Sequence, residues 1–363
     1  MTFDPARPFD ALPSLPPREE IETAPVLKQC LRATRALAEL KGAGGLIPDQ
    51  AILINAIPLQ EAQASSEIEN ILTTRDALFR AALDEARSAD PKTKEVLRYR
   101  TALHRSYEVV RKGGLSVELL CDVCSILRDE KVDFRQTGED VFIGNSQTRE
   151  VLYTPPRGGA LIAGKLENLV SFLFHNDGPD ELIRMAVVHY QFEAIHPFSD
   201  GNGRTGRILN ILYLIHAGLL DIPVLYLSGY LIRNKMEYYR LLLEVSSGRD
   251  WESWIVFMLR GVEETARWTT GRILSIRQLL DQTIELVRRD LPRIYTKELV
   301  ELIFHQPYTK ISFLVDAGIA KRQTAAEYLR ALENAGILAS EMVGRERIYV
   351  NLALLELLKE GHP

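Results

Sequence analysis

The chain has 363 residues, of which 46% are hydrophobic and 26% charged, with a formal net charge of −5. These values exclude a disordered or fibrous chain and suit two or three cored domains, while the mild acidity excludes retention on nucleic acid by bulk charge and leaves a local patch open. Three cysteines, Cys30, Cys121 and Cys124, exclude a disulfide framework, and no uncharged apolar run reaches the about 18 residues of a membrane span, so a cytoplasmic protein with no membrane partner is expected.

The first ten residues carry neither the basic start nor the apolar run of a signal peptide. Residues 1–24 hold Pro5, Pro8, Pro13, Pro16 and Pro17 and read as an extended arm. Residues 25–85 are helical in pattern, broken once at Gly42–Pro48, and Leu59, Ala62, Ser66 and Glu69 then recur at helical spacing over about 58–72. Residues 92–131 give two helices divided by Gly113-Gly114. Cys121-Asp-Val-Cys124 in the second has zinc-pair spacing, but no second pair completes four ligands. These two read as packing cysteines.

Val141–Ile143 and Glu150–Tyr153 are β-type runs around Gly144-Asn145-Ser146, a hairpin signature. Ile183, Ala186, Val187, Tyr190 and Ala194 mark one face of a helix, and a second helix begins near Arg204 with Gly218 as its cap. His189 and His216, near the loop between them, read as packing histidines. Further helices are expected over 229–247 and 250–265, the latter with Trp251 and Trp254 as core, and another leads to Asp290. Beyond Leu291-Pro292, short helices precede Val315–Gly318, a helix follows over 319–335, and strands at 337–343 and 347–351 flank Gly344-Arg345-Glu346. Helix, turn, helix and two-stranded wing is the order of a winged helix. The predicted fold class is therefore mostly α, a helical bundle with a β-hairpin flap and a C-terminal winged helix-turn-helix domain. Its parts are an N-terminal arm and helices at 1–95, a catalytic domain at 96–265, a linker helix at 266–290 and the winged domain at 291–363.

The loop His196-Pro-Phe-Ser-Asp-Gly-Asn-Gly-Arg-Thr-Gly-Arg207 carries the chemistry. Glycines that open a helix let backbone N–H groups converge on an anion, and the helix dipole adds favourable potential. Arg204 and Arg207 beside them offer forked donors to phosphate oxygens. Asp200 is the hard oxygen ligand that Mg²⁺ prefers, and His196 is the side chain suited to general-base work near neutral pH. Together these are the parts of a phosphoryl or nucleotidyl transferase. The loop is neither a Walker A motif nor a Rossmann fingerprint.

These twelve residues resemble the Fic motif H-P-F-x-[DE]-G-N-G-R-x-x-R at every fixed position. The resemblance extends over about 60–265 and implies a protein adenylyltransferase, which moves AMP from ATP to Ser, Thr or Tyr hydroxyls. It implies His196 as base, Asp200 as the Mg²⁺ ligand, and Gly201, Asn202 and Gly203 as phosphate binders by backbone and amide donors. Arg204 and Arg207 would steady the β- and γ-phosphates, and Phe198 would pack inward. Ser65-Ser-Glu-Ile-Glu69-Asn70 is similar to the family's inhibitory motif [ST]-x-x-x-E-[GN]. This implies that Glu69 pairs with Arg207, with Ser65 on the same helix face, and occupies the space of the γ-phosphate. The hairpin at 141–153 is similar to the family's flap, which implies target proteins docking by strand addition.

Leu231, Tyr238, Leu241 and Leu242 form an apolar stripe on which Asn234 is a polar exception, to be satisfied by an adenine edge or by an internal partner. Tyr230 is a weaker candidate for stacking on the base. In the C-terminal module Lys321, Arg322, Gln323 and Thr324 stand where base contacts are made. Yet nine Lys and Arg balance nine Asp and Glu over 291–363, so DNA binding is not favoured over protein docking or dimerisation. A homodimer is left open. Two other readings compete with AMP transfer: a transferase of the same fold with another nucleotide or phospho-donor, and a winged-helix transcription regulator with a silent catalytic domain.

Overall fold

The computed structural model describes residues 3–83, 90–145, 150–174, 178–343 and 346–359. The fold is mostly helical, as expected. Ser146 of the expected hairpin turn and Gly344-Arg345 of the expected wing turn lie outside the described residues.

Residues 3–23 form the extended arm, and the arm is pinned. Leu12 and Leu15 are buried, Gln191 donates to the Pro13 carbonyl at 2.8 Å, and Asn168 donates to the Leu15 carbonyl at 3.0 Å. Three helices then span 24–81, with two breaks rather than one: α1 (Ala24–Gly44), α2 (Ala51–Ile68) and α3 (Arg75–Ala81). The helix expected over 58–72 thus starts earlier and ends earlier, as α2. The second break falls at Asn70, which has φ +62°. Asparagine tolerates that left-handed conformation, which is a local reason for Asn or Gly to follow the motif's Glu. Thr74 then caps α3 by accepting from the Ala77 N–H at 3.1 Å.

α4 (Pro91–Val110) and α5 (Val117–Arg128) start at the caps Asp90 and Ser116. The hairpin pairs β1 (Ile143–Asn145) antiparallel with β2 (Glu150–Tyr153). α6 (Ala160–Leu173) was not expected from the sequence. Its start carries no side-chain cap, so the usual signal is missing.

α7 (Glu181–Ile195) and α8 (Asn202–His216) form the centre of the bundle, buried on nearly every side. Trp254 closes the core against them, its indole N–H donating to the Ala186 carbonyl at 2.8 Å. His189 is a satisfied core residue between Tyr238 and Asn210. His216 is exposed rather than packed inside, its ring edge-on to Phe174 at 4.9 Å.

The helix expected over 229–247 breaks at Asn234 into α9 (Leu227–Arg233) and α10 (Lys235–Gly248). The two helices expected at 250–265 and 266–290 are one, α11 (Trp251–Asp290), which runs 40 residues without a break and packs along α1. No structural boundary falls at 265.

The C-terminal module has α12 (Lys297–Leu302), β3 (Tyr308–Thr309), α13 (Ile311–Asp316), α14 (Arg322–Asn334), β4 (Ala339–Val343), β5 (Glu346–Val350) and α15 (Leu352–Lys359). Its sheet runs β3-β5-β4, antiparallel throughout. Ala325, Leu329 and Leu332 are buried as expected, and β3 and α15 are additions to the expected order.

Candidate active site

The twelve-residue loop bends from the end of α7 to the start of α8. His196 caps α7 with φ +48°, ψ +60°, an uncommon conformation for a non-glycine residue. Arg135 holds it there. This arginine is buried and donates from Nε to the His196 carbonyl at 3.0 Å, from Nη2 to the Pro156 carbonyl at 3.0 Å and from Nη1 to the Glu139 carbonyl at 2.9 Å. It thereby ties the base of the hairpin to the loop. No local pattern marks Arg135, because its partners are backbone carbonyls up to 61 residues away. Burial, then the Arg135 charge, pushes the His196 imidazole down to about 4. The ring is therefore neutral near pH 7.

Phe198 is fully buried against Phe192. Asn202 staples the turn: its Oδ1 accepts from the Phe198 N–H at 2.8 Å and its Nδ2 donates to the Phe198 carbonyl at 2.7 Å. The Asn202 side chain, which the resemblance implied as a phosphate donor, thus spends its oxygen and one of its two amide hydrogens inside the loop. Gly201 caps α8 with φ +85°, a conformation glycine adopts without cost. Gly203 faces the anion position, where a side chain would collide with Glu69 Oε1 and lie 2.8 Å from Arg207 Nη1.

Each charge of the loop has a partner from another helix. Arg207 is buried and donates from Nη2 to Glu69 Oε1 at 2.9 Å, from Nη2 to the Ser65 carbonyl at 2.9 Å and from Nε to Ser65 Oγ at 2.7 Å. Burial raises the Glu69 carboxyl, but the Arg207 guanidinium outweighs it and holds the group below its usual range. Arg204, also buried, pairs with Glu95 of α4 at 2.7 Å. Asp200 accepts from the Gly201 N–H at 2.6 Å and pairs through its other oxygen with Arg128 at the end of α5. Neither Glu95 nor Arg128 has a sequence signal tying it to the loop. Cys124 lies under the Asp200 carbonyl, its Sγ at 3.4 Å. Burial pushes its thiol up to about 11, the behaviour of a packing cysteine.

Residues 27–108 match the Fic/DOC family N-terminal domain, residues 114–214 the Fic/DOC family domain, and residues 279–354 the C-terminal domain of SoFic-like protein adenylyltransferases. The chain belongs to the Fic/DOC family. It is similar to a probable protein adenylyltransferase of Aquifex aeolicus, 26% identical over 193 residues, covering 52% of this chain and 55% of that protein. It is also similar to the protein adenylyltransferase Fic of Culex quinquefasciatus, 32% identical over 159 residues, 41% of this chain and 28% of that protein. The chain therefore spans about half the length of the first of these curated relatives and less of the second. Among solved structures, a Fic family protein from Desulfovibrio desulfuricans shares the fold with a TM-score of 0.58 at 21% identity, covering 92% of this chain and 98% of that one. A Fic domain protein from Bacteroides thetaiotaomicron does so with a TM-score of 0.55 at 13% identity, over 68% of this chain and 97% of that one.

On the far side of the Fic loop, the apolar stripe expected through Asn234 is not continuous. Leu231, Tyr238 and Leu241 are buried, but Asn234 sits at the α9–α10 junction and donates from its side chain to the Tyr230 carbonyl at 2.9 Å. One of its two amide hydrogens thus has an internal partner, which leaves the other and the amide oxygen for an adenine edge. The Tyr230 ring is buried and packs on Phe257 at 5.0 Å, so its faces are engaged in the core. Tyr239, which no sequence pattern singles out, feels the charges of Glu69, Arg207 and Glu193. Glu193 is a further carboxyl beside the loop, pushed up to about 7 by burial, with a buried Oε1 that has no hydrogen-bond partner among the described residues.

The Fic loop would fit a triphosphate, since an anionic oxygen, Glu69 Oε1, already lies beside Gly203 and 2.9 Å from Arg207 Nη2. It also fits Mg²⁺, which is held by one or two carboxylates together with substrate phosphates and keeps several waters. Asp200 is the exposed carboxylate at the helix start, and among the described residues there is no cluster of three or more His, Cys, Asp or Glu to form an all-protein cage. Among the described residues, no helix is long and apolar enough to cross a membrane.

Proposed function

We propose that the protein transfers AMP from ATP to hydroxyl side chains of target proteins and releases pyrophosphate. The observation that carries this reading is the seat at the start of α8, where an anionic oxygen lies against Gly203 and the buried Arg207 guanidinium. Backbone N–H groups at Asn202 and Gly203, that of Gly201 being held by Asp200, and the two arginines suit phosphate oxygens. Arg204 and Arg207 draw negative charge toward the β- and γ-phosphates and align pyrophosphate to leave. Mg²⁺ at Asp200 would neutralise charge on the α- and β-phosphate oxygens.

His196, neutral at working pH, takes the proton of the attacking Ser, Thr or Tyr hydroxyl. The hydroxyl oxygen bonds to the α-phosphorus, the bond from that phosphorus to the bridging oxygen breaks, and the imidazolium loses its proton to solvent. Arg135 keeps the ring aimed and disfavours premature protonation. The target segment is assigned to the hairpin at 141–153, which exposes Phe142 and Leu152. The base is assigned to the α9–α10 junction, with Asn234 at its edge and Tyr230 as packing behind it.

Glu69 is assigned as a brake. Its carboxylate takes the donors a γ-phosphate needs, so ATP would bind in an unproductive pose. Replacing Glu69 with Gly is expected to raise transfer of labelled AMP by roughly 10- to 100-fold, the equivalent of one or two charged hydrogen bonds. Equal activity of wild type and Glu69→Gly would remove the brake, and absence of His196-dependent labelling in both would remove the enzyme.

A further inference from the structure

The inhibitory segment, α2 through α3, is gripped from outside by the C-terminal domain. At the start of α2, Asp49 accepts from the Ala51 N–H at 2.9 Å and pairs with His305 at 2.6 Å. Just past the inhibitory motif, Arg75 reaches both ways. Its Nη1 donates to the Leu358 carbonyl at 3.2 Å and to that of Lys359, the open carbonyls at the end of α15. Its Nε donates to Gln63 of α2 at 3.3 Å, two residues before Ser65.

Asp76 accepts from the hydroxyl of buried Tyr308. Arg80 lies between the two domains. It pairs with Asp76 at 2.6 Å, with both carboxylate oxygens of Glu341 on β4, and stands 5.0 Å over the Tyr308 ring. Burial works to raise the Asp49 and Asp76 carboxyls. For Asp49 the Ala51 N–H and His305 outweigh burial, and for Asp76 the Tyr308 and Arg80 bonds do, so both stay below the usual range. Arg80 and Glu341 are each partly exposed, and one such pair alone would contribute little. Joined to backbone carbonyls and a buried tyrosine, they form a network whose parts hold one another.

We propose that the C-terminal domain serves as a clamp on the inhibitory segment: by holding Asp49, Arg75, Asp76 and Arg80 it fixes α2 and α3 in the pose from which Glu69 reaches Arg207. A partner that draws β4 and α15 away from α3 therefore releases the active site without touching it. This inference rests on the reading of Glu69 as a brake.

The test uses the full-length protein with Arg80→Glu, Glu341→Arg and the two combined, each with Glu69 and with Glu69→Gly. Transfer of labelled AMP and hydrogen exchange of residues 51–68 are both measured. With Glu69 present, Arg80→Glu is expected to raise transfer roughly tenfold and to speed exchange in 51–68, and the charge-swapped double variant is expected to reverse both. With Glu69→Gly present, Arg80→Glu is expected to add nothing.

Unchanged transfer and exchange in Arg80→Glu, beside an activated Glu69→Gly, would overturn the clamp and leave the brake standing. If Glu69→Gly does not activate, the brake reading fails and exchange alone decides: acceleration reversed by the double variant keeps the mechanical clamp, and none rejects it. Should Arg80→Glu unfold, Arg75→Gln and Tyr308→Phe, each removing one contact, carry the same readouts with an expected rise of about threefold.

Discussion

The Fic loop and the groups that pair with its charges are built in opposite ways. The loop is one contiguous run, His196 to Arg207, in which one staple, Asn202, and one buried ring, Phe198, set the shape. The groups that pair with its charges are scattered: Glu69 follows α2, Glu95 lies on α4 and Arg128 ends α5, and each meets one loop charge. Phosphate chemistry needs a local nest of N–H groups and guanidiniums, whereas an opposite charge that pairs with part of such a nest can be delivered from any direction.

The largest effect is expected from removing His196, the one loop residue assigned to chemistry rather than charge. His196→Ala, made with Glu69→Gly, is expected to cut AMP transfer about a thousandfold while leaving the apparent ATP affinity nearly unchanged, since the imidazole is assigned no phosphate oxygen. A loss confined to ATP affinity would move His196 from the chemistry to the binding.

The second test separates charge from bulk in the restraint. Glu69→Gln keeps the shape but weakens the bond to Arg207, whereas Glu69→Gly empties the seat beside Gly203. Gln is expected to give roughly a tenfold rise in transfer and Gly the larger part of a hundredfold. If Gln is as inhibited as wild type, occupancy rather than charge is the restraint.

This contrast also sorts what could be read from sequence. The loop was legible from local chemistry, glycines before a helix beside two arginines, and the Ser65–Asn70 motif from its resemblance to the family's, with a Ser and a Glu four apart; the left-handed turn at Asn70, which ends the helix short of the expected 72, was not. The hairpin and the helix-turn-helix order were legible from period and turn residues. Arg135, Glu95 and Arg128 were not, because a lone charged residue on a helix or loop looks solvent-facing until the fold shows which distant carbonyl or charge it meets. The break at Asn234 was missed because the apolar spacing on its two sides continues in phase. The unbroken α11 was divided because nothing in sequence distinguishes a long helix from two.

The third test concerns Asn202, whose two bonds to the Phe198 backbone assign it to shape. Asn202→Ala is expected to cost about 2 kcal/mol and to lower the first melting transition by roughly 4 °C. Transfer should fall with it. An unchanged melt with weakened ATP binding would return the amide to the phosphate.

The smallest expected effect is in the pH dependence of the restraint, measured as the ratio of Glu69→Gly to wild-type transfer. The Glu69 carboxyl is held below its usual range, so it is ionised at neutral pH. Its pairing is lost only as pH falls through that lowered value, where His196, down at about 4, also begins to protonate. Glu69 itself therefore contributes no change between about pH 5.5 and 8. Glu193 runs the other way. Burial raises it to about 7, so it is neutral below that pH and charged above it, beside both Arg207 and Glu69. Once charged it repels Glu69 and competes for the guanidinium, which loosens the brake as pH rises. The ratio is expected to fall about twofold across pH 7, and Glu193→Gln is expected to flatten it. A ratio that instead fell on acidification from 8 to 6 would mean that protonation, and not ionisation, opens the site, and Glu193 would have no part in it.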